Sequence, residues 1–300
     1  MEIIELDSVR FRLQERQDFS WLKRYGRAFW WVDQTGSGCI CIGMERAGKK
    51  VFCKIAGVGT VEAEVSPKES VRILKNAVFL YRTLEHPALV RITEEYEQGP
   101  FYAVIFAWAE GECLFDHWNF ERYKNGILSP RQRFLTLPVP KKLAAVEVLF
   151  SFLRNVAEKG YAAVDFYDGS ILYDFETDKL TICDIDLFQK SPAVNDRGAD
   201  WYGTKRLKAP EEYEPGGIID ERTTLFTLGA MIFDFFGDFS AGEIKRRYVQ
   251  NRFVPCDASR WQLNAESYRA AARAVCADRA GRWQSIAAFW DAWRHAAAKQ

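Results

Sequence analysis

Residues 161–187, YAAVDFYDGSILYDFETDKLTICDIDL, carry the most information about the fold of this 300-residue chain. The runs ILYD and LTICD have the apolar, β-rich character of two short strands joined by a turn. Asp165 precedes the first run, and Asp184 ends the second run nineteen residues later. Two carboxylates at this separation suit metal-assisted phosphoryl transfer, in which one orients a hydroxyl nucleophile and the other holds Mg²⁺ against phosphates.

The composition predicts a packed protein without an obvious polyanionic partner. Apolar residues make up 48% of the chain and aromatic residues 15%, which argues against disorder. Lys plus Arg equals Asp plus Glu at 41 each, so we expect neither nucleic acid nor an anionic membrane as a partner. The longest apolar runs are far shorter than the roughly 20 residues that span a bilayer.

The location expected from the sequence is the cytoplasm. The segment MEIIELDSVRFRLQER lacks the basic-then-apolar layout of a signal peptide. The seven cysteines are an odd number and are scattered along the chain, which favours reduced thiols.

The chain is predicted to divide into an N-terminal domain over residues 1–108 and a C-terminal domain over residues 109–300. Three strands are predicted within residues 30–56, a helix over 67–85, and two more strands in ALVRITEEYEQ and FYAVIFAWA. The C-terminal domain is predicted to begin with an irregular connection over 117–138. Helices are then predicted over residues 140–160, 222–236, 265–276 and 283–298.

Two features of the N-terminal domain suit a phosphate site. Lys54 shares a strand face with Phe52, so its side chain must reach water or meet an anion. Gly36-Ser37-Gly38 lies sixteen to eighteen residues earlier, and glycine lets backbone N–H groups approach phosphate closely. The alternatives are a lysine that reaches solvent at a sheet edge and an ordinary hairpin turn.

The order and spacing of these landmarks resemble those of the protein-kinase superfamily. Lys54 matches the lysine of the V-A-I-K strand, and Asp165 and Asp184 match the aspartates of H-R-D-x-x-x-x-N and D-F-G. Residues 203–211, GTKRLKAPE, match G-T-x-x-Y-x-A-P-E. The resemblance implies a bilobal protein-kinase-like α+β fold, with a small β-rich lobe and a larger helical lobe, that uses ATP and Mg²⁺ (or Mn²⁺).

The resemblance also implies residue roles. Asp165 and Lys54 are the expected catalytic residues, and Asp184 is the expected metal ligand. Ser170 stands in place of the metal-binding asparagine, and Asp168 and Asp186 are further candidate ligands. The expected nucleotide contacts are Gly36, Ser37, Gly38, Lys54, the hinge residues Phe106 and Trp108, and Glu112 near the ribose.

Several family residues are replaced. Ala163-Val164 stand for His-Arg, Tyr167 for a lysine, and Ala77 for the helix glutamate that pairs with the strand lysine. Glu62, Glu64 and Glu69 are candidates to orient Lys54 instead. Thr224 replaces a helix aspartate, so we expect a weaker brace on the catalytic loop. The resemblance also implies that Glu211 pairs with Arg282.

Three functions remain open at this level. The first is a divergent Ser/Thr protein kinase acting on a protein substrate. The second is a nucleotide-binding pseudokinase that serves a protein partner as a scaffold or regulatory module, favoured by the replaced residues. The third is a small-molecule kinase, favoured by Asp186 and opposed by the Ala-Pro-Glu sequence.

Overall fold

The computed structural model describes residues 1–115, 121–123 and 126–299, and the chain forms an α+β structure, the class expected from the sequence. Contacts divide it into two compact units. The first unit comprises Met1–Glu85 and Leu89–Glu110. The second unit comprises His86–Ala88, residues 111–115 and the described residues from Glu121 onward. The predicted boundary after residue 108 lies close to Glu110.

The first unit consists of a hairpin, a five-stranded antiparallel sheet and one helix. Its elements are β1 (Glu2–Leu6), β2 (Val9–Leu13), β3 (Arg27–Val32), β4 (Ile40–Arg46), β5 (Lys49–Ala56), α1 (Pro67–Thr83), β6 (Ile92–Gln98) and β7 (Phe101–Ala107). The sheet has the order β3-β4-β5-β7-β6, and β1 and β2 form a separate two-stranded pair.

The two faces of this sheet have different neighbours because side chains alternate along each strand. Ile42, Ile55 and Ile105 belong to a core that also contains residues of the β1–β2 hairpin. Lys54 lies on the opposite face of β5, since it follows Cys53 and precedes Ile55. The packing role of the N-terminal hairpin was not predicted from the sequence.

The helix α1 begins where its sequence predicts. The side chain of Ser66 accepts a hydrogen bond from Glu69 N at 3.2 Å, and Pro67 occupies the first turn. Leu74, Ala77 and Tyr81 are buried along one side of the helix. The predicted helix over 67–85 is therefore confirmed, with its end at Thr83.

The second unit is mainly helical and contains several short strand pairs. Its elements are β8 (Glu112–Cys113), α2 (Pro130–Leu135), α3 (Val139–Glu158), β9 (Tyr161–Ala162), β10 (Ile171–Asp174), β11 (Lys179–Ile182), β12 (Gln189–Lys190), β13 (Ala193–Val194), β14 (Ile218–Ile219), α4 (Glu221–Phe236), α5 (Ala241–Gln250), α6 (Ala265–Ala274) and α7 (Ile286–Ala297). The strands β8, β10 and β11 form one sheet, and β9 pairs with β12.

The helix α4 forms the centre of the second unit. It is buried on all sides from Thr223 to Phe236, as expected for a helix that is apolar around most of its circumference. It contacts α3, α6 and α7. The four long helices predicted from the sequence are thus confirmed, with ends that shift by a few residues.

The prediction of an irregular segment over 117–138 was wrong for Pro130–Leu135, which form α2. Ser129 caps this helix, and Gln132 returns a hydrogen bond to the Ser129 backbone, so a capping box stabilises a helix too short to show periodicity. Residues 117–120 and 124–125 of the predicted segment lie outside the described residues. The helix α5 was also not predicted from the sequence. No helix among the described residues is both long and apolar enough to cross a bilayer.

Candidate functional site

Asp165 and Asp184 both adopt left-handed backbone conformations. Their φ angles are 58° and 53°. Such angles are uncommon for residues other than glycine, and strained backbone of this kind concentrates at functional sites. The two residues singled out by sequence spacing therefore share an unusual local geometry.

The β10–β11 hairpin brings the flanks of the two aspartates together. Ile171 pairs with Ile182 in its register, and Cys183 N donates to Ser170 O at 2.9 Å. Asp184 is the residue after Cys183, and it is exposed to solvent. A ligand can reach Asp184 from solvent.

The electrostatic environment prepares Asp165 to exchange a proton near neutral pH. Burial and, second, the negative charge of Asp184 raise the pKa of Asp165 to about 7. The positive charge of Lys208 opposes this rise. A carboxylate whose pKa lies near the working pH is suited to general base catalysis.

Lys208 is a site residue that the sequence analysis did not identify. The residue is only 3% exposed, and its Nζ donates to the Trp201 carbonyl and, at 3.5 Å, to Ala199 O. Burial lowers the pKa of Lys208, while the charges of Glu212 and then Asp165 raise it. Its only sequence signal was a cluster of basic residues, Lys205, Arg206 and Lys208, directly before Ala-Pro-Glu.

Tyr167 lies over the turn that carries the other site residues. A Cβ atom at Gly169 would approach the Tyr167 ring to 2.3 Å, so only glycine fits beneath the ring. Phe115 contacts the same ring with centroids 6.1 Å apart. Burial, followed by the charges of Asp165 and Asp184, raises the pKa of the Tyr167 hydroxyl, which therefore stays protonated beside both aspartates.

Ser170 and Asp186 offer further oxygen atoms near Asp184. Ser170 is fully buried, and its Oγ has no hydrogen-bond partner among the described residues. Asp186 is half-buried two residues after Asp184. An orphaned buried hydroxyl beside an exposed carboxylate fits a Mg²⁺ ion that also binds nucleotide phosphates.

The same region does not form a closed metal cage. Within the described ranges, no group of three or more His, Cys, Asp or Glu side chains is placed to hold a metal ion. Mg²⁺ commonly binds through one or two carboxylates together with substrate phosphates. The residues present fit that mode.

Asp168 is engaged differently from the other candidate ligands. It is 2% exposed and forms an ion pair with Arg206, and Arg131 Nε lies 3.5 Å from its Oδ2. Two guanidinium groups thus already compensate its charge. Asp168 stays a predicted metal ligand, but its contacts favour a structural role.

In the Ala163-Val164 pair, Val164 lies in a small apolar core and Ala163 is buried beside it in sequence. Val164 packs with Ala162, Trp201 and Ile219. The hydroxyl of Thr224 accepts a hydrogen bond from Ala163 N at 2.9 Å. The predicted brace at Thr224 is present, and it uses a neutral acceptor in place of a carboxylate.

The predicted pair of Glu211 and Arg282 is confirmed. Arg282 Nη1 donates to Glu211 Oε1 at 2.8 Å and Nη2 to Oε2 at 2.9 Å, while Arg282 is fully buried. Burial would raise the pKa of Glu211, but hydrogen bonding and charge from Arg282 hold it below its usual value. The bidentate geometry explains why Arg suits this position.

In the first unit, Lys54 is half-buried on a face rich in aromatic rings. Phe52 contacts Trp30 at 5.8 Å and Phe106 at 6.0 Å between ring centroids, and Phe106 also contacts Tyr81. The shared face of Lys54 and Phe52 is confirmed. Phe106 is a buried strand residue of β7 that contributes to this aromatic layer.

The Gly36-Ser37-Gly38 turn is covered by the segment that leads into α1. Gly38 has a φ of 71°, and a Cβ there would lie 3.3 Å from the Ser70 side chain. Glu64 N donates to Gly36 O at 2.9 Å, and the carboxyl carbon of Glu64 lies 3.4 Å from the Cβ position of Gly36. An acidic group therefore lies against the predicted phosphate-binding turn.

The remaining predicted residues have specific partners. Glu62 pairs with Arg12 at 3.1 Å, and Glu69 pairs with Arg72 at 2.6 Å. Trp108 packs on Phe29, with centroids 5.1 Å apart. In the second unit, Glu112 forms an ion pair with Arg133, and its predicted contact with ribose stays a prediction.

No protein-family model matches the sequence, and no curated protein matches it significantly. Function is therefore inferred from the geometry of the site. Within the second unit, Asp165, Asp184, Ser170 and Lys208 are connected by the contacts and charges described above.

Proposed function

We propose that this chain is an ATP- and Mg²⁺-dependent phosphotransferase, a divergent Ser/Thr protein kinase in type. One observation carries the proposal: Asp165 has a pKa of about 7 and lies near Asp184, an exposed carboxylate whose charge contributes to that pKa. Phosphoryl transfer to a hydroxyl requires a group that accepts or orients its proton and a second group that holds the metal.

Asp165 is the group proposed to orient the attacking hydroxyl. At a pKa of about 7, a substantial fraction of Asp165 is ionised at neutral pH and can accept a hydrogen bond from an alcohol. The left-handed backbone at Asp165 is of the strained kind that concentrates at functional sites. The raised pKa distinguishes Asp165 from the nearby surface acids Asp174 and Asp178, whose pKa values are lowered by hydrogen bonds.

Asp184 is the proposed principal metal ligand, with Ser170 Oγ and Asp186 as the supporting oxygen atoms. Bound Mg²⁺ would neutralise charge on the transferring phosphoryl group. Lys208 supplies a fixed positive charge near Asp165, which compensates in part for the tyrosine at position 167. Tyr167 adds a protonated hydroxyl beside both aspartates.

We further propose that the fold is protein-kinase-like and bilobal. The support is the five-stranded sheet with one helix in the first unit and the helical second unit with its Glu211–Arg282 pair. Lys54 and the glycine turn are proposed phosphate-binding groups of the first unit. The proposed substrate is a protein, because the chain retains the Ala-Pro-Glu sequence.

A pseudokinase is the second candidate, and one observation favours it. Glu64 lies against Gly36, where a nucleotide phosphate would have to approach. A carboxylate in that place disfavours an anion by like-charge repulsion. In this alternative the protein holds nucleotide weakly and acts through a protein partner.

Transfer of label from γ-labelled ATP tests the proposal. The wild type is compared with Asp184→Asn and with Asp174→Asn, a matched control in the same hairpin whose carboxylate binds Thr177. We expect Mg²⁺- or Mn²⁺-dependent transfer that the first substitution abolishes and the second preserves. Transfer unchanged in Asp184→Asn would contradict the assignment.

The choice of phosphate acceptor and a measurement of thermal stabilisation by ATP distinguish the alternative functions. Absence of transfer, together with thermal stabilisation by ATP, would identify the pseudokinase. Transfer to small hydroxylated metabolites but not to generic protein substrates would identify a small-molecule kinase.

A further inference from the structure

Five buried or nearly buried charged side chains form one network in the second unit. Arg206 binds Asp168 and, through Nη1, Asp234 Oδ2 at 2.6 Å. Arg247 Nη1 binds the other oxygen of Asp234 at 2.8 Å. Arg131 lies 3.5 Å from Asp168 and 3.6 Å from Asp234.

The network is deeply buried. Arg206, Asp168, Asp234 and Arg247 are all at most 5% exposed. Burial alone would raise the pKa of Asp234, but the charges of Arg206, Arg131 and Arg247 hold it below its usual value. Because buried ions are costly to leave unpaired, each member fixes the positions of its partners.

The members come from separate parts of the chain. Asp168 begins the 3₁₀ turn Asp168–Ser170, and Arg206 belongs to the long connection between β13 and β14. Asp234 lies on α4 and Arg247 on α5. Arg206 is therefore the member that joins this connection both to the turn after Asp165 and to the central helix.

Both ends of this link reach the proposed catalytic residues. Asp168 shares its turn with Ser170, whose carbonyl accepts from Cys183 N beside Asp184. Lys208, two residues after Arg206, places its charge near Asp165. A fixed Arg206 therefore fixes both the turn Asp168–Ser170 and Lys208, the two groups linked to Asp165.

We propose that Arg206 is a positioning residue for phosphoryl transfer, which holds the residues 198–208 against the turn Asp168–Ser170. The inference rests on the proposed function of Asp165 and Asp184. The charges that hold the segment are all supplied by the chain itself. Ordering of residues 198–208 therefore needs no added phosphoryl group, and we expect phosphatase treatment to leave the transfer rate unchanged.

Arg247 provides a matched control for Arg206. Both are buried arginines bound to Asp234. Within the described part of the chain, however, Arg247 forms no hydrogen bond or ion pair with Asp168, and it contacts Val254 O and the rings of Phe239 and Phe253. Lysine at either position keeps the charge and loses the planar fork of the guanidinium group. The two substitutions therefore differ mainly in whether the catalytic turn loses a partner.

The experiment compares Arg206→Lys with Arg247→Lys at a temperature well below both melting temperatures. We expect Arg206→Lys to lower kcat roughly ten- to a hundredfold with little change in KM for ATP, as for a misplaced catalytic group. Arg247→Lys should lower the melting temperature without lowering kcat more than about twofold. Equal effects of the two substitutions on kcat would overturn the positioning role.

Hydrogen exchange keeps this test separate from the test of activity. Arg206→Lys should accelerate exchange in residues 161–170 and 198–208, whereas Arg247→Lys should not, whether or not the wild type transfers phosphate. If wild-type transfer is absent but this difference is found, the proposed function fails and the link by Arg206 stands. If exchange is unchanged by Arg206→Lys, the link itself is wrong.

Discussion

The hydroxyl of Thr224 accepts a hydrogen bond from the backbone nitrogen of Ala163 at 2.9 Å, and both residues are buried. Thr224 lies in the first turn of α4, and Ala163 lies two residues before Asp165. The central helix thus holds the backbone that leads into the proposed catalytic residue. A single neutral acceptor performs this task.

Thr224→Val should remove this support at nearly constant volume. The buried N–H of Ala163 would lose its acceptor, which we expect to lower the free energy of unfolding by about 1–3 kcal/mol. Thr224→Ser, which keeps the hydroxyl, is the control for urea unfolding. A Val variant as stable as the Ser variant would show that the hydrogen bond does not support this backbone.

Removing one partner of the Glu211–Arg282 pair should be strongly destabilising. We expect Glu211→Ala to lower the free energy of unfolding by roughly 3–5 kcal/mol, because Arg282 would stay buried with its charge uncompensated. Glu266→Ala, which breaks the exposed pair with Lys299, should cost less than about 1 kcal/mol. Chemical denaturation of the three proteins checks this, and similar values for the two variants would argue against a structural role for the buried pair.

Glu64→Gln should increase the affinity of the first unit for nucleotide phosphates. The substitution removes a negative charge beside Gly36 and keeps a side chain of similar size. Glu97→Gln changes an exposed carboxylate of the same unit that pairs with Lys75, and it should leave the affinity unchanged. Titration with a fluorescent ATP analogue measures both, and no gain for Glu64→Gln would mean that this carboxylate does not restrict the turn.

Glu212 should make stability depend on pH in a defined direction. Burial raises the pKa of Glu212 to about 8, above its ordinary value of 4.5. The folded state then binds the proton more tightly than the unfolded state. Proton binding by Glu212 therefore contributes fully to the free energy of unfolding below pH 4.5. This contribution is lost as the pH rises to about 8, at a rate of at most about 1.4 kcal/mol per pH unit.

Glu212→Gln removes the titration and keeps an oxygen that can accept from Ala209 N. The stability of the Gln variant relative to wild type should therefore increase between pH 5 and pH 8.5, as measured by urea unfolding. A difference that stays constant over this range would show that Glu212 does not titrate there.

The sequence predicted features that depend on local pattern or on paired landmarks. The α1 helix has apolar periodicity and a proline at its start. The Glu211–Arg282 pair was expected because both residues match positions in the protein-kinase pattern that the sequence resembles. The hairpin that joins Asp165 to Asp184 was visible in two β-rich runs. The signals for α1 and for the hairpin lie in short stretches of the chain, whereas Glu211 and Arg282 are 71 residues apart and their pairing was expected from the resemblance.

The features that were missed depend on tertiary contacts. Lys208 and Arg206 look like surface cations in the sequence, and only packing shows that they are 3% and 5% exposed. The burial of Asp168 beside Arg206 was also not visible from sequence spacing. The N-terminal hairpin and the approach of Glu64 to Gly36 likewise arise from contacts between distant residues.

The pH dependence of phosphoryl transfer is the measurement that tests the central role of Asp165 most directly. We expect kcat/KM of the wild type to rise through a pKa near 7 as Asp165 ionises, and to level off above it. Asp165→Asn should lower the rate by about 10²–10⁴-fold and abolish this dependence. A wild-type profile that is flat from pH 6 to 8, or an Asn variant with the wild-type rate and profile, would contradict the account.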